Sequence, residues 1–273
     1  MKKQYFLLIL ALLFGAFIFD ACKKDHDHDD DLTGVGDVEI EFDHRAGTDA
    51  LVFGSEYTNA AGEKLKFTTF NYFVSNIVLI KGDGTEFVVP RNDSYFLVKH
   101  DEPSTRAIKL SNVPAGDYSK LRFTIGVDSL KSVSDISERQ GVLDPAGAAN
   151  GMYWSWNSGY IFVKVEGTSP AAPIEPGSGE RIFQYHTGLY GGFTTPTLNN
   201  LKTVTLDIPH GDVAKVRKGH HSPHFHLFVD ILEMFKNPTN ISVASNPTSH
   251  GGPFSKTVAD NYADMFSIDH VHN

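Results

Sequence analysis

Thirteen of the 273 residues are histidine, and their spacing points to metal chemistry. His224 and His226 stand two apart in an apolar run, and His270 and His272 repeat that spacing near the end of the chain. On a β-strand, residues i and i+2 face the same side, so each pair would present two imidazoles together, the first with Asp230 further along its face. Imidazole suits copper and zinc, and the single cysteine of the chain offers no thiolate set to compete. Three more histidines continue regular patterns. His44 follows Val38, Ile40 and Phe42, and His210 follows Val204, Leu206 and Ile208, so both are expected to point inward at a strand end. His186 shares a face with Ile182 and Gln184, just before a glycine-rich segment at 187–193. Taken singly, each also fits a hydrogen-bonded structural histidine. The dense run Gly219-His220-His221-Ser222-Pro223-His224-Phe225-His226 also fits a polar loop.

Both tryptophans, Trp154 and Trp156, lie in the block Gly151-Met152-Tyr153-Trp154-Ser155-Trp156-Asn157-Ser158-Gly159-Tyr160. The block reads either as a core plug, given the large apolar area of indole, or as an aromatic platform for a ligand. Other chemistries leave no trace. The chain has no G-x-S-x-G nucleophile elbow, no H-E-x-x-H and no phosphate loop, so no enzyme activity is expected. A formal charge of -9 argues against a nucleic-acid partner, which needs a basic surface.

The elements that must position these residues read as strands and turns. Val38, Ile40 and Phe42 alternate with Glu39, Glu41 and Asp43, the period of a half-buried strand. Residues 67–80, rich in aromatic and β-branched types, lead through Gly82-Asp83-Gly84 into 86–90, a hairpin signal. Further runs fall at 95–98, 108–110, 121–127, 160–165, 181–186, 203–208 and 224–231. The expected fold is all-β, a single β-sandwich or barrel-like domain of about ten strands. A short C-terminal helix is expected at 258–265, and a helical turn or two at 134–140.

The N-terminus carries a different signal. Met1-Lys2-Lys3 precedes an apolar stretch from Tyr5 to Phe19, too short to span a bilayer comfortably. It ends at Asp20-Ala21-Cys22, which resembles a bacterial lipobox, with Cys22 as the lipidated first residue of the mature chain. The expected organisation is a signal peptide at 1–21, an acidic tether at 22–36 and one β domain at 37–273. The tether contains KKDHDHDDD at 23–31, a run too charged to fold, similar to the surface-export signals of Bacteroidetes-type lipoproteins. The expected location is the outer membrane, on its periplasmic or cell-surface face, held through the lipid on Cys22.

Several stretches together resemble the MbnP-like copper-binding proteins, which are associated with methanobactin and occur as lipoproteins in many Bacteroidetes. They are Phe42-Asp43-His44, Tyr72-Phe73-Val74-Ser75-Asn76-Ile77, Gly126-Val127-Asp128, Leu143-Asp144-Pro145, the Met-Tyr-Trp-Ser-Trp block, Phe183-Gln184-Tyr185-His186-Thr187-Gly188, and a tail from Asp260 to His272. The Met-Tyr-Trp-Ser-Trp block is the most specific. The resemblance implies copper bound by histidines for acquisition or handling. It also implies a tryptophan oxidised to kynurenine by a diheme MauG-type cytochrome c, with the modified residue at or near the copper. Carried over, the modified residue is Trp154 or Trp156, and the first ligands are His44 and His186, then His270 and His272, then His224 and His226. Relatives of the methanotroph type carry several cysteines here, whereas this chain has Gly188-Leu189-Tyr190-Gly191-Gly192. Two other readings stand beside this one: a surface module binding glycans or proteins through Trp154 and Trp156, and, ranked last, a metal-dependent hydrolase using Asp128, Asp207 and Asp230.

Overall fold

The computed structural model describes residues 32–154 and 159–273. The signal peptide, Cys22, most of the tether and Trp156 lie outside the described residues. The described chain is mostly β, with sixteen strands. The first eight are β1 (Val35–Ala46), β2 (Asp49–Ala50), β3 (Tyr57–Thr58), β4 (Lys64–Lys81), β5 (Glu86–Val88), β6 (Tyr95–Lys99), β7 (Ala107–Pro114) and β8 (Gly116–Ile125). A one-turn helix α1 (Ser129–Ser132) follows, then β9 (Tyr153–Trp154), β10 (Gly159–Thr168), β11 (Ile182–Gly188) and β12 (Lys202–Asp207). The chain finishes with β13 (Ala214–Val216), β14 (His224–Asp230), β15 (Thr248–Ser249), helix α2 (Phe254–Tyr262) and β16 (Phe266–His272).

Two sheets form the sandwich. The smaller runs β16-β14-β1-β2, with β7 also paired to β1. The larger runs β12-β8-β4-β10-β11-β15, with short strands added at β8, β4 and β10. Alternation builds the layer between them. In β1, Val38, Ile40, Phe42, His44 and Ala46 are buried and the residues between them are not. Their side chains meet Phe67, Phe70, Tyr72, Phe123 and Tyr185 from the large sheet in one continuous core. The abundance of phenylalanine is spent here. Phe42, Tyr72, Phe123 and Phe266 contact one another edge to face, with ring centroids 5.2–6.5 Å apart, the arrangement the aromatic quadrupole favours.

A second, smaller core of Phe73, Tyr95, Leu97, Val127, Leu143, Met152, Tyr160, Phe162 and Tyr190 is separate from the main one. Because Phe73 follows Tyr72 on β4, it points to the opposite face of the large sheet. The segment carrying α1 and β9 packs there.

Of the ten strands expected from the sequence, all form. The six more are β2, β3, β9, β13 and β15, of two or three residues each, and β16. The last is the substantial omission. Phe266 and Ile268 begin an apolar alternation that breaks at His270, so the run is too short to read as a strand. The helix begins at Phe254, four residues earlier than expected, and a 3-10 turn at Ala263–Met265 completes it. Within 134–140 one helical turn forms, a 3-10 turn at Ile136–Glu138; α1 and a 3-10 turn at Gly141–Leu143 lie on either side of that range.

Candidate metal centre

The fold sorts the histidines into three groups that share no strand face. The most enclosed is at the end of the sandwich. His44 on β1 is buried, as its alternation requires. His100 follows the last residue of β6 and is half-buried, its backbone N–H donating to the Phe70 carbonyl at 3.0 Å. The two Nδ1 atoms face each other at 3.0 Å, and the rings stack with centroids 5.3 Å apart. Nε2 of His44 lies 2.9 Å from the Tyr72 hydroxyl. Phe70 flanks His44 at 4.8 Å and Phe53 flanks His100 at 4.4 Å, centroid to centroid. The two Nδ1 atoms share one hydrogen bond; in the tautomer of His44 that donates Nε2–H to the Tyr72 oxygen, its Nδ1 accepts from His100 Nδ1–H, and loss of that one proton would free both nitrogens for a metal.

Burial, reinforced by His100 and Arg106, lowers the His44 pKa to about 2, and burial lowers that of His100 as well. Both rings are therefore neutral at physiological pH, the state a metal ligand needs. A histidine held neutral in the fold but free to charge when unfolded makes the unfolded state the stronger proton binder below about pH 6.5. Stability is then full above that pH and declines as pH falls toward the folded value. The loss from His44 between pH 7 and 5 is expected to be about 2 kcal/mol, at about 1.4 kcal/mol per pH unit. Carboxylates with lowered pKa, such as Glu166, act below this window. Urea denaturation of metal-free protein at the two pH values measures the loss, and His44→Gln should flatten it; an equal slope in the variant would put the linkage elsewhere.

The second group holds His186, which the sequence ranks beside His44. No contact joins the two. Nε2 of His186 is 2.7 Å from Glu166 Oε1, and its ring meets that of His250 edge-on at 4.6 Å. Glu166 also accepts from Thr69 at 2.8 Å. The His186 hydrogen bond is the chief cause of its pKa of about 2. One ring nitrogen of His186 is thus taken by a carboxylate.

The third group unites the two pairs that the sequence kept apart. β14 and β16 are antiparallel neighbours whose register sets His224 opposite His272 and His226 opposite His270. All four imidazoles lie on the outer face of the small sheet, beside Asp269 from β16 and Glu41 and Asp43 from β1. Asp230 ends β14 on the same face, as expected, and caps the next turn by accepting from Leu232 N–H and from Gly47 N–H.

His210 corrects an expectation. It is exposed rather than inward-facing, because β12 stops at Asp207 and Pro209 starts a turn in which His210 takes a positive φ of 62°. His220 and His221 are exposed in the turn before β14.

Trp154 is half-buried and packs against the second core, beside Tyr153 and Tyr160. A Cβ on Gly188 would come within 3.0 Å of its ring and run into the Tyr160 carbonyl oxygen, so glycine there admits the indole. The other shared motifs are architectural. Asp128 caps α1 through Lys131 N–H and accepts from the Tyr95 hydroxyl at 2.5 Å. Gly126 takes φ of 114°, where any side chain would strike Phe162. The Leu143 carbonyl accepts from Tyr160 at 2.6 Å.

Several site residues escaped the sequence reading. His100 had a usable signal: Phe96, Val98 and His100 continue one face past the end of β6, much as Phe42 and His44 share one face within β1. Asp269, Glu41, Asp43, Glu166 and His250 had none, since acidic residues on outward faces are the ordinary dress of a strand.

A family model described as MbnP matches residues 35–251. The solved structure of MbnP from Methylosinus trichosporium shares the fold, with a TM-score of 0.52 at 20% identity, covering 80% of this chain and 81% of that chain. No curated protein matches the chain in sequence.

Proposed function

The chain belongs to the MbnP family, and from that premise we propose that it binds copper between His44 and His100, for copper acquisition or handling. The observation that carries this reading is the pair of Nδ1 atoms facing each other at 3.0 Å in an aromatic enclosure. Both rings are neutral, and the other nitrogen of His44 is occupied by Tyr72. Imidazole donors suit copper. The enclosure favours the monovalent ion. Burying charge is costly without a counter-charge; among the described residues no carboxylate contacts the pair, and Asp101 acts on His100 only through its charge. Burial keeps the Tyr72 phenol protonated, so it supplies no anionic oxygen. When bound, copper would be held by the two imidazoles while Phe53 and Phe70 exclude water.

The reading assigns no catalysis to the chain. It includes export and a lipid at Cys22, supported by the N-terminal pattern. Among the described residues no helix is long and apolar enough to cross a membrane. The oxidised tryptophan is a separate component. Trp154 packs with the second core, on the other face of the large sheet from Tyr72 and His44, so oxidation there would not supply a ligand to this pair.

The test is titration of the purified full chain with Cu(I) under reducing conditions against a competing chelator, with peptide mass mapping of natively exported protein. One tightly held copper per chain supports the reading; none retained against a weak chelator removes it. The mass of the peptide holding Trp154 and Trp156 reports independently on oxidation to kynurenine.

A further inference from the structure

The outer face of the small sheet carries a site of different chemistry. We infer that His226, Asp269 and His270, flanked by His272 and His224, form a separate site for a borderline divalent metal ion of the zinc class. Among the described residues, only His226, Asp269 and His270 bring three ligand atoms within 4.8 Å of one another. The rings of His226 and His270 stack with centroids 4.9 Å apart. Nε2 of His270 lies 2.8 Å from Nε2 of His272, and its Nδ1 lies 2.7 Å from Asp269. His270 therefore touches donors on both sides.

A local departure from regular β structure produces this convergence. The β14–β16 register runs His226 to His270 and then Leu227 to Ile268, so Asp269 is an extra residue in β16. In an unbroken strand Asp269 and His270 would face opposite ways. The bulge lets Ile268 point into the core and Asp269 and His270 both point outward, as bulges near functional sites do. Without it, His270 and His272 would face the core, where Phe266 and Ile268 now pack.

The cluster also contains an unsatisfied atom. Nδ1 of His226 is shielded from solvent and has no hydrogen-bond partner; Asp269 is its nearest acid, at 3.5 Å. A shielded, unpaired ring nitrogen is costly, and a metal ion among these donors would satisfy it. The rest of the site stays open, with side chains of Asp269 and His270 about two-fifths exposed.

The acidic surroundings set the charge of the ion. Asp269 lies within the cluster, Glu41 is 3.3 Å from His224, and Asp43, itself paired to Arg45, is 4.0 Å from His226. Mixed imidazole and carboxylate donors suit zinc and similar divalent ions. Among the described residues the buried His44–His100 pair has no carboxylate in contact, and Arg106 sets a positive charge against the influence of Asp101 there, so the two sites differ in the charge they can accept. They also face opposite sides of β1 and its neighbours. Asp269, His270 and His272 lie beyond residue 251, where the family match ends.

The experiment is calorimetric titration of the full chain with Zn(II) at pH 7.5, with thermal unfolding of the same samples. Wild type is expected to bind one zinc and to unfold at higher temperature when loaded. His226→Gln with His270→Gln is expected to weaken zinc binding by about 100-fold or more, above the loss seen when supporting residues are removed, and to abolish the thermal shift. These partly exposed positions allow the variant to fold, and its zinc-free unfolding temperature checks this. His100→Gln should leave zinc binding unchanged, and the double variant should leave Cu(I) binding unchanged, so either site can fail alone. No zinc bound by wild type, or affinity within about threefold in the double variant, overturns the inference. So does loss of binding on replacing the tether residues His26 and His28 instead.

Discussion

Replacing His100 by glutamine is expected to weaken Cu(I) binding by more than about 100-fold while leaving the fold intact. The estimate follows from the ligand count: loss of a residue that merely orients a ligand costs about 10–100-fold, and His100 is one of only two imidazoles in the pair. Its half-buried position at the end of β6 lets glutamine occupy the space without an enclosed void. Chelator competition measures the affinity, and circular dichroism with thermal unfolding checks the fold. His44→Gln should lose copper as severely, but it also touches the core, so His100 gives the cleaner measurement. Retention of wild-type affinity in His100→Gln would remove the pair as the copper centre. His186→Gln is expected to retain copper, because His186 is held by Glu166 and has no contact with the pair.

The largest stability effect is expected at Phe42. Its ring contacts Tyr72, Phe123 and Phe266 in edge-to-face pairs and is fully buried. Phe42→Ala removes those contacts and leaves a cavity between two sheets that cannot collapse without moving both. The cost is expected to be about 3–5 kcal/mol, read from urea denaturation at pH 7. For a domain of this size that corresponds to a melting-point drop of about 6–20 °C. Because Tyr72 orients His44 through Nε2, copper affinity should fall as well, by less than in His100→Gln. A loss below about 1 kcal/mol would mean that the aromatic cluster repacks around the gap.

The motifs behind the family resemblance perform different tasks in the fold. Gly126, Asp128, Leu143 and Gly188 position loops and the second core, while Phe42-Asp43-His44 divides its residues between both faces of one strand. His44 joins the buried pair and Asp43 borders the outer cluster. A single short motif thus contributes to both proposed sites, on opposite sides of a sheet.

The sequence alone determined the all-β class, the ten principal strands, the inward turn of His44 and the shared face of His224 and His226. Each follows from alternation over a few neighbouring residues, and the pleat enforces alternation locally. Tertiary structure decided the rest. It paired His44 with His100 rather than His186, because the residue just past β6 reaches His44 on β1 while β11 stands further along the large sheet. It turned His210 outward, because a proline ended the strand first. It also joined two distant His-x-His pairs through the β14–β16 register and recruited Asp269 by a bulge. Strand register depends on partners far away in the chain, and a bulge interrupts the very alternation by which a strand is recognised.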